Sequence, residues 1–143
     1  MKIRMQQPVK VIVEHNLRDS IIELLKNEKL NRPFIVLDSF LLKVPAVKEM
    51  LDALKENGVE YKTYAGIVPD PPASVINKGA EEMAEFNADS VIAIGGGSSL
   101  DSAKGINIVA SDGGKIEDYV KDESLIHDHK TLISITTTAE TGN

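Results

Sequence analysis

The feature that most constrains this chain is a short apolar run that stops at three consecutive glycines. Residues 91–94 read Val-Ile-Ala-Ile, a composition typical of a buried strand, and a helical pattern begins directly after the glycines. Glycines let the backbone approach a ligand closely, and the N–H groups and dipole of a helix N-terminus favour an anion. The run therefore predicts a phosphate-binding loop, formed by Gly95, Gly96, Gly97 and Ser98. A tight strand-to-helix turn without a ligand is the alternative interpretation.

The residues after the glycines narrow this hypothesis. Ser98 and Asp101 have the spacing of a capping box, so we expect Ser98 to open the helix and Asp101 to brace its first turn. A P-loop would require a lysine directly after the loop's last glycine, and none is present. The common dinucleotide fingerprint would require glycine where Leu100 stands, and it would follow the first strand of the chain.

Strand and helix patterns alternate along the whole chain, which predicts a doubly wound parallel α/β sheet in a single domain. The predicted strands cover residues 9–13, 34–37, 59–65, 91–94 and 131–135. Ligands of such sheets bind at the carboxyl ends of the strands. The polar residues and glycines at or just beyond those ends are Asp38, Asp70, residues 95–98 and residues 136–138.

Composition excludes several classes of function. A formal charge of −6 argues against nucleic acid or an anionic membrane as a partner, since both require a basic surface. The absence of cysteine excludes disulfides and thiolate metal sites. No apolar stretch has the length of a signal peptide or of a membrane span of about 20 residues, so we expect a cytoplasmic protein.

Residues 95–104 resemble the Gly-Gly-Gly-Ser-x-x-Asp-x-Ala-Lys motif of the iron-containing (group III) alcohol dehydrogenases. Two other segments agree with that family. Residues 35–38, followed by Leu41, resemble its second strand, and residues 137–142 resemble its Thr-Thr-Ala-Gly-Thr-Gly segment. The likeness spans nearly the whole chain but only the N-terminal half of the family. It implies that residues 1–143 form a Rossmann-like dinucleotide-binding domain that lacks the family's helical C-terminal metal-binding domain.

The resemblance also implies roles for individual residues. The glycine loop would hold the pyrophosphate of NAD. Asp38 would bind the adenosine ribose and disfavour binding of NADP. An alternative role for Asp38 is to cap the segment that follows it. Asp70 replaces an asparagine that lies near the adenosine in the family. Glu140 replaces a small glycine in the segment near the nicotinamide. The family's nicotinamide-lining residues correspond here to Thr137, Thr138 and Thr141.

Family members hold iron, sometimes zinc, with one aspartate and three histidines that all lie beyond the segment resembled here. No catalytic or metal-binding residue is therefore assigned in this chain, and the chain alone is expected to be inactive. His127 and His129 are interpreted as part of a solvated loop. Two other hypotheses remain, a freestanding nucleotide-binding module and a half-domain of a glycerol dehydrogenase or dehydroquinate synthase. A homodimer or larger assembly is expected, because apolar surface around the end of the last strand would be left uncovered, and residues 2–5 could extend the sheet of a neighbouring copy.

Overall fold

Strands and helices alternate as predicted in the computed structural model, which describes residues 8–13 and 16–136. The strands are β1 (Val9–Val13), β2 (Pro33–Leu37), β3 (Lys62–Tyr64), β4 (Ser90–Ile94) and β5 (Thr131–Thr136). The helices are α1 (Leu17–Asn27), α2 (Pro45–Glu56), α3 (Ala73–Phe86), α4 (Gly97–Asp112) and α5 (Ile116–Lys121). Short 3₁₀ helices cover Ser39–Lys43 and Glu123–Leu125.

The five strands form one parallel sheet in the order β1-β5-β4-β2-β3. The central strand is β4, which is hydrogen-bonded to β2 on one side and to β5 on the other. Every residue of β2 and β4 is buried, which is what continuous apolar runs in a two-sided parallel sheet predict. The predicted parallel sheet with β4 near its centre is confirmed.

Helices cover both faces of the sheet, and each face has its own apolar core. On one face, α1 and α2 bury side chains such as Ile21 and Met50 against Ile35 and Ile92 of the sheet. On the other face, α3, α4 and α5 bury side chains against Phe34, Val91 and their neighbours. Because alternate strand residues point to opposite faces, successive residues of β2 and β4 belong to different cores. Each fully buried leucine or isoleucine contributes about 1.5–3 kcal/mol to stability.

The third strand is shorter than predicted, and it lies at an edge of the sheet. The alternating pattern predicted a strand over residues 59–65, whereas only Lys62–Tyr64 pair with β2. The register explains why the pairing begins only at Lys62, since the position opposite residue 61 falls on Pro33, which has no N–H to donate. Both faces of this segment are nevertheless used, because Tyr61 packs on the core beneath α1 and α2 while Tyr64 packs on the opposite core.

Tyr64 is held in place by two contacts. Its ring stacks on Phe34 at a centroid distance of 6.0 Å, and its hydroxyl donates a hydrogen bond of 2.7 Å to the carbonyl of Val75 in α3. Burial, reinforced by the charge of Glu82, raises the pKa of this phenol above its ordinary value. The ring is therefore a fixed surface against which α3 must fit.

Gly79 lets α3 approach both this ring and α4. A Cβ atom at position 79 would lie 2.6 Å from Cδ1 of Ile106 and 2.8 Å from Cε2 of Tyr64, and both distances are shorter than real Cβ contacts. Ile106 belongs to α4, the helix that follows the glycine loop. The position of α4, and with it the geometry of the loop, therefore depends on a glycine in a different helix.

The helix ends agree with the sequence in part. Pro45 occupies the first turn of α2, and Gly58 follows that helix with φ +73, which are the positions that proline and glycine favour at helix ends. Asn16 stands at the N-cap of α1, but its side chain donates to Asp19 instead of capping the backbone, and with φ −142 it is not left-handed. His15 and the segment expected to pair with a neighbouring copy lie outside the described residues, so the dimer stays a prediction. None of the helices in the described part is long and apolar enough to span a bilayer.

Candidate functional site

The topology leaves a crevice between the carboxyl ends of β4 and β2. From β4 the chain passes through α4 to β5, whereas from the adjacent β2 it passes through α2 to β3 on the other side. These two helices belong to opposite faces of the sheet, so the loops that follow β4 and β2 diverge. Such a switch point is where open α/β sheets bind ligands.

A cleft of about 140 Å³ occupies this position. One wall is the glycine loop, and the opposite wall comes from the ends of β2 and β3. The lining residues are Asp38, Phe40, Leu41, Ile67, Val68, Pro69, Gly95, Gly96, Gly97, Ser98 and Ser99. The structure thus brings together Asp38 and the four predicted loop residues, which are almost 60 positions apart in the sequence.

Gly95 is required by the fold of the loop itself. Its φ of +120 is unfavourable for any other residue, and an added Cβ would lie 3.3 Å from both Leu41 Cδ1 and Ser99 Oγ. Its N–H donates to the carbonyl of Ile135 at 3.0 Å, which ties the start of the loop to β5. The conformation of Gly95 accounts for the sharp turn after β4.

Gly97, in contrast, has no such requirement. Its φ lies outside the left-handed region, and a Cβ at this position would meet no atom within 4 Å. Glycine is a poor helix former, so its presence at the first position of α4 gives the folded chain no benefit that an alanine would not. The open space beside Gly97 is the kind of room that a ligand close to the backbone would need.

The predicted capping box is wrong. The helix begins at Gly97, its N-cap is Gly96 in an extended conformation, and no side chain caps it. The first hydrogen bond of the helix runs from Leu100 N to Gly96 O (3.1 Å). The actual N-cap, Gly96, therefore lies two residues before Ser98, the predicted N-cap. Asp101 is half-buried and does not line the cleft. The first N–H groups of α4 are consequently left without a side-chain cap, which suits them to bind an anion from outside the chain.

Asp38 has the capping role that was the alternative to cofactor binding. Its Oδ1 accepts a hydrogen bond of 3.1 Å from Phe40 N and so caps the 3₁₀ helix Ser39–Lys43. The same carboxylate lines the cleft, and among the described residues Oδ2 has no hydrogen-bond partner. The cap therefore fixes the carboxylate in place and leaves one oxygen for a ligand.

The other predicted site residues are less central. Asp70 is exposed, with φ +46, and follows Pro69 in the loop at the edge of the cleft, but it does not line the cleft. Thr136 is the exposed last residue of β5. Thr137, Thr138, Glu140 and Thr141 lie outside the described residues.

The histidines of the charged segment lie at the opposite end of the sheet, just before β5. Main-chain N–H groups of His127 and Asp128 donate to the carboxylate of Asp112 at 2.8 and 2.9 Å, which anchors this loop. Within residues 8–13 and 16–136, no group of three or more histidine, aspartate or glutamate side chains is arranged to hold a metal. The described part of the chain therefore does not fit the family's iron or zinc site.

Two residues of the cleft were missed by the sequence analysis. Phe40 and Val68 are 49% and 45% exposed, and both line the cleft opposite the glycine loop. The available signal was an aromatic residue two positions after the aspartate that directly follows β2. Large apolar side chains at the carboxyl edge of a sheet are candidates for ligand contact.

Comparison with known proteins shows which family the chain belongs to. The profile of one family, iron-containing alcohol dehydrogenase, matches residues 8–143. The chain belongs to the iron-containing alcohol dehydrogenase family. Its fold is accordingly that of the Rossmann-like N-terminal domain of these dehydrogenases.

Individual dehydrogenases of the family support the assignment. The chain is 34% identical over 119 residues to the NAD-dependent methanol dehydrogenase of Bacillus methanolicus, covering 83% of this chain and 31% of that protein. It is 40% identical over 102 residues to the NADPH-dependent butanol dehydrogenase of Clostridium saccharobutylicum, covering 71% and 26%. The matched segments thus span about a quarter to a third of the length of these relatives.

A solved structure shows the same architecture. The sulfoacetaldehyde reductase of Bifidobacterium kashiwanohense, crystallised in complex with NAD+, superposes with a TM-score of 0.78 over 94% of this chain and 35% of that chain. Sequence identity in this pair is 21%, so the likeness supports the fold.

Proposed function

We propose that this chain is the NAD-binding domain of a metal-dependent alcohol dehydrogenase, and that the dinucleotide lies across the cleft between β4 and β2. The observation that carries the proposal is the N-terminus of α4, which has no side-chain cap, has open space beside Gly97, and faces Asp38 across a topological switch point. Open space alone does not distinguish this glycine, since Gly66 also has it, but at Gly97 the space adjoins the uncapped N–H groups of a helix N-terminus inside the cleft. The relatives' names differ on the cofactor, since the methanol dehydrogenase is named NAD-dependent and the butanol dehydrogenase NADPH-dependent, so the preference for NAD rests on Asp38.

Different residues of the chain would bind different parts of this cofactor. Main-chain N–H groups of Gly96, Gly97 and Ser98 would bind the pyrophosphate, where the positive end of the α4 dipole stabilises negative charge. Asp38, fixed by its cap, would accept hydrogen bonds from the hydroxyls of the adenosine ribose. Thr137, Thr138 and Thr141 would line the nicotinamide side, and Asp70 would lie near the adenosine.

Hydride transfer itself depends on groups other than the residues of this cleft. The nicotinamide ring of a bound NAD would accept a hydride from an alcohol, or NADH would return it to an aldehyde. Hydride transfer also needs a group that stabilises charge on the alcohol oxygen, which iron or zinc provides in the family. Because the described residues contain no ligand set for such a metal, no step of the reaction is assigned to them.

Cofactor preference tests the role of Asp38. We expect the chain to bind NAD more tightly than NADP, by about tenfold, because the carboxylate would repel a 2′-phosphate. Asp38→Asn should narrow this preference while keeping a side-chain oxygen to cap the 3₁₀ helix. Isothermal titration calorimetry with both cofactors measures the ratio.

Asp38→Gly serves as the second variant, since it removes both the charge and the cap. A narrower preference in both variants attributes the effect to charge, and a change in Asp38→Gly alone attributes it to the local fold. Equal affinity of the unaltered chain for NAD and NADP would refute the assignment of Asp38.

The chain alone is expected to be inactive. Incubation with NAD, small primary alcohols and diols, and iron(II) or zinc should produce no reduced nicotinamide, because the described residues include no group that would hold a metal against the alcohol oxygen. Absorbance of reduced nicotinamide is the readout. Turnover that a chelator abolishes would contradict this prediction and would reveal a metal site formed by this chain.

A further inference from the structure

Resting on the proposed function, we propose that Phe40 is the surface on which the adenine ring of the dinucleotide stacks, and that Val68 completes an apolar slot around the base. Four large hydrophobic side chains in the described part of the chain are conspicuously exposed, and they are Phe40, Val68, Val120 and Leu125. Two of these four line the one small cleft at the switch point, and the other two lie in α5 and the 3₁₀ helix Glu123–Leu125.

The backbone position of Phe40 is fixed relative to Asp38. Its N–H is bound by Asp38 Oδ1, and the next N–H, of Leu41, donates to the carbonyl of Asp38 at 3.0 Å. Leu41 is 1% exposed and anchors the 3₁₀ helix in the core, whereas about half of the Phe40 side chain remains accessible. The ring is thus presented from an ordered segment and is only partly buried.

The chemistry of the cleft divides into two parts. The glycine loop and Asp38 provide N–H donors and a carboxylate, which suit a pyrophosphate and a ribose. The remaining lining residues are apolar and come from the ends of β2 and β3, and they are Phe40, Leu41, Ile67, Val68 and Pro69. In a nucleotide the base is attached at C1′ and the phosphate-bearing C5′ at C4′, so the two groups extend from different carbons on either side of the ring oxygen. A ribose on Asp38 with its phosphate on the glycine loop therefore directs the base toward this apolar part.

A flat heteroaromatic ring is the occupant that such a wall fits best. Adenine presents two apolar faces to the walls and a polar edge that can remain in water, and stacking on an aromatic side chain needs no hydrogen-bonding partner. The apolar wall residues carry no hydrogen-bonding side chains, so the slot would select for a stacked base by shape. Phe40 is then a residue that determines affinity for the adenosine half of the cofactor.

The test compares two ligands that differ only in the base. AMP carries adenine, ribose and phosphate, whereas ribose 5-phosphate lacks the adenine. We expect Phe40→Ala to weaken AMP binding to the 143-residue chain by about tenfold and to leave ribose 5-phosphate binding unchanged, as measured by calorimetry. Leu125→Ala removes a side chain of similar exposure (45%) outside the cleft and should bind AMP as the unaltered chain does.

A spectroscopic variant gives an independent readout. The sequence contains no tryptophan, so Phe40→Trp introduces a single indole, whose fluorescence should be quenched by AMP and not by ribose 5-phosphate. Unchanged AMP affinity in Phe40→Ala, or an equal loss for both ligands, would overturn the stacking role while leaving the proposed function intact. If the unaltered chain binds neither NAD nor AMP, the proposed function fails as well.

Discussion

Replacing Gly97 with alanine is expected to weaken NAD binding about tenfold or more without lowering the thermal stability of the domain. The added Cβ would meet no atom of the chain within 4 Å, and alanine favours a helix more than glycine does. The same methyl group would occupy space through which a pyrophosphate reaches the N–H groups at the start of α4. A tenfold loss of affinity corresponds to about 1.4 kcal/mol.

The measurement pairs calorimetric titration with NAD and a thermal melt of the same variant. Gly66→Ala is the matched control, because it also adds a methyl group in open space but does not line the cleft. Gly95→Ala should instead lose stability together with binding, since φ +120 is strained for alanine. If Gly97→Ala binds NAD as tightly as the unaltered chain, the open space has no function and the ligand-free turn becomes the better interpretation.

Gly79→Ala is expected to destabilise the domain by about 1–3 kcal/mol, even though alanine is the better helix former. The new methyl group would overlap Ile106 Cδ1 at 2.6 Å and Tyr64 Cε2 at 2.8 Å. Neither neighbour moves freely, because Ile106 is fully buried and Tyr64 is stacked and hydrogen-bonded. Urea denaturation followed by circular dichroism measures the change in the free energy of unfolding.

A double variant identifies the contact responsible. Ile106→Val removes Cδ1, the atom that the new methyl group would approach most closely, so Gly79→Ala combined with Ile106→Val should lose less stability than the sum of the two single variants. Gly66→Ala again serves as the neutral control. Unchanged stability in Gly79→Ala would mean that α3 and α4 separate without cost, which would contradict the tight contact.

The helix start and the third strand show where sequence patterns stop being informative. The pattern Ser-x-x-Asp predicted a cap at Ser98, but the cap depends on the backbone angles of Gly96, and three consecutive glycines allow several possible starts. The pattern of residues 59–65 predicted the alternation correctly, but the length of β3 depends on the register with β2 and on Pro33. The start of α4 thus depends on backbone dihedral angles, and the length of β3 depends on the strand beside it.

The sequence by itself determined the class of fold, the central strand and the loop that begins at Gly95. These features follow from short-range physics, because a buried strand needs a continuous apolar run and a sharp turn after it needs glycine. It also placed Asp38 at the end of a strand. It did not reveal that Asp38 caps a 3₁₀ helix and has one carboxylate oxygen available in the cleft.

Only the tertiary structure decided which residues share the site. The strands β2 and β4 are not consecutive, and it is the return of the chain past β2 that brings Asp38 opposite the glycine loop. The exposure of Phe40 and Val68 likewise depends on how the segments after β2 and β3 meet at one edge of the sheet. Hydrophobic burial depends on which elements pack against one another in space. The order of residues alone therefore does not show which apolar side chains remain exposed.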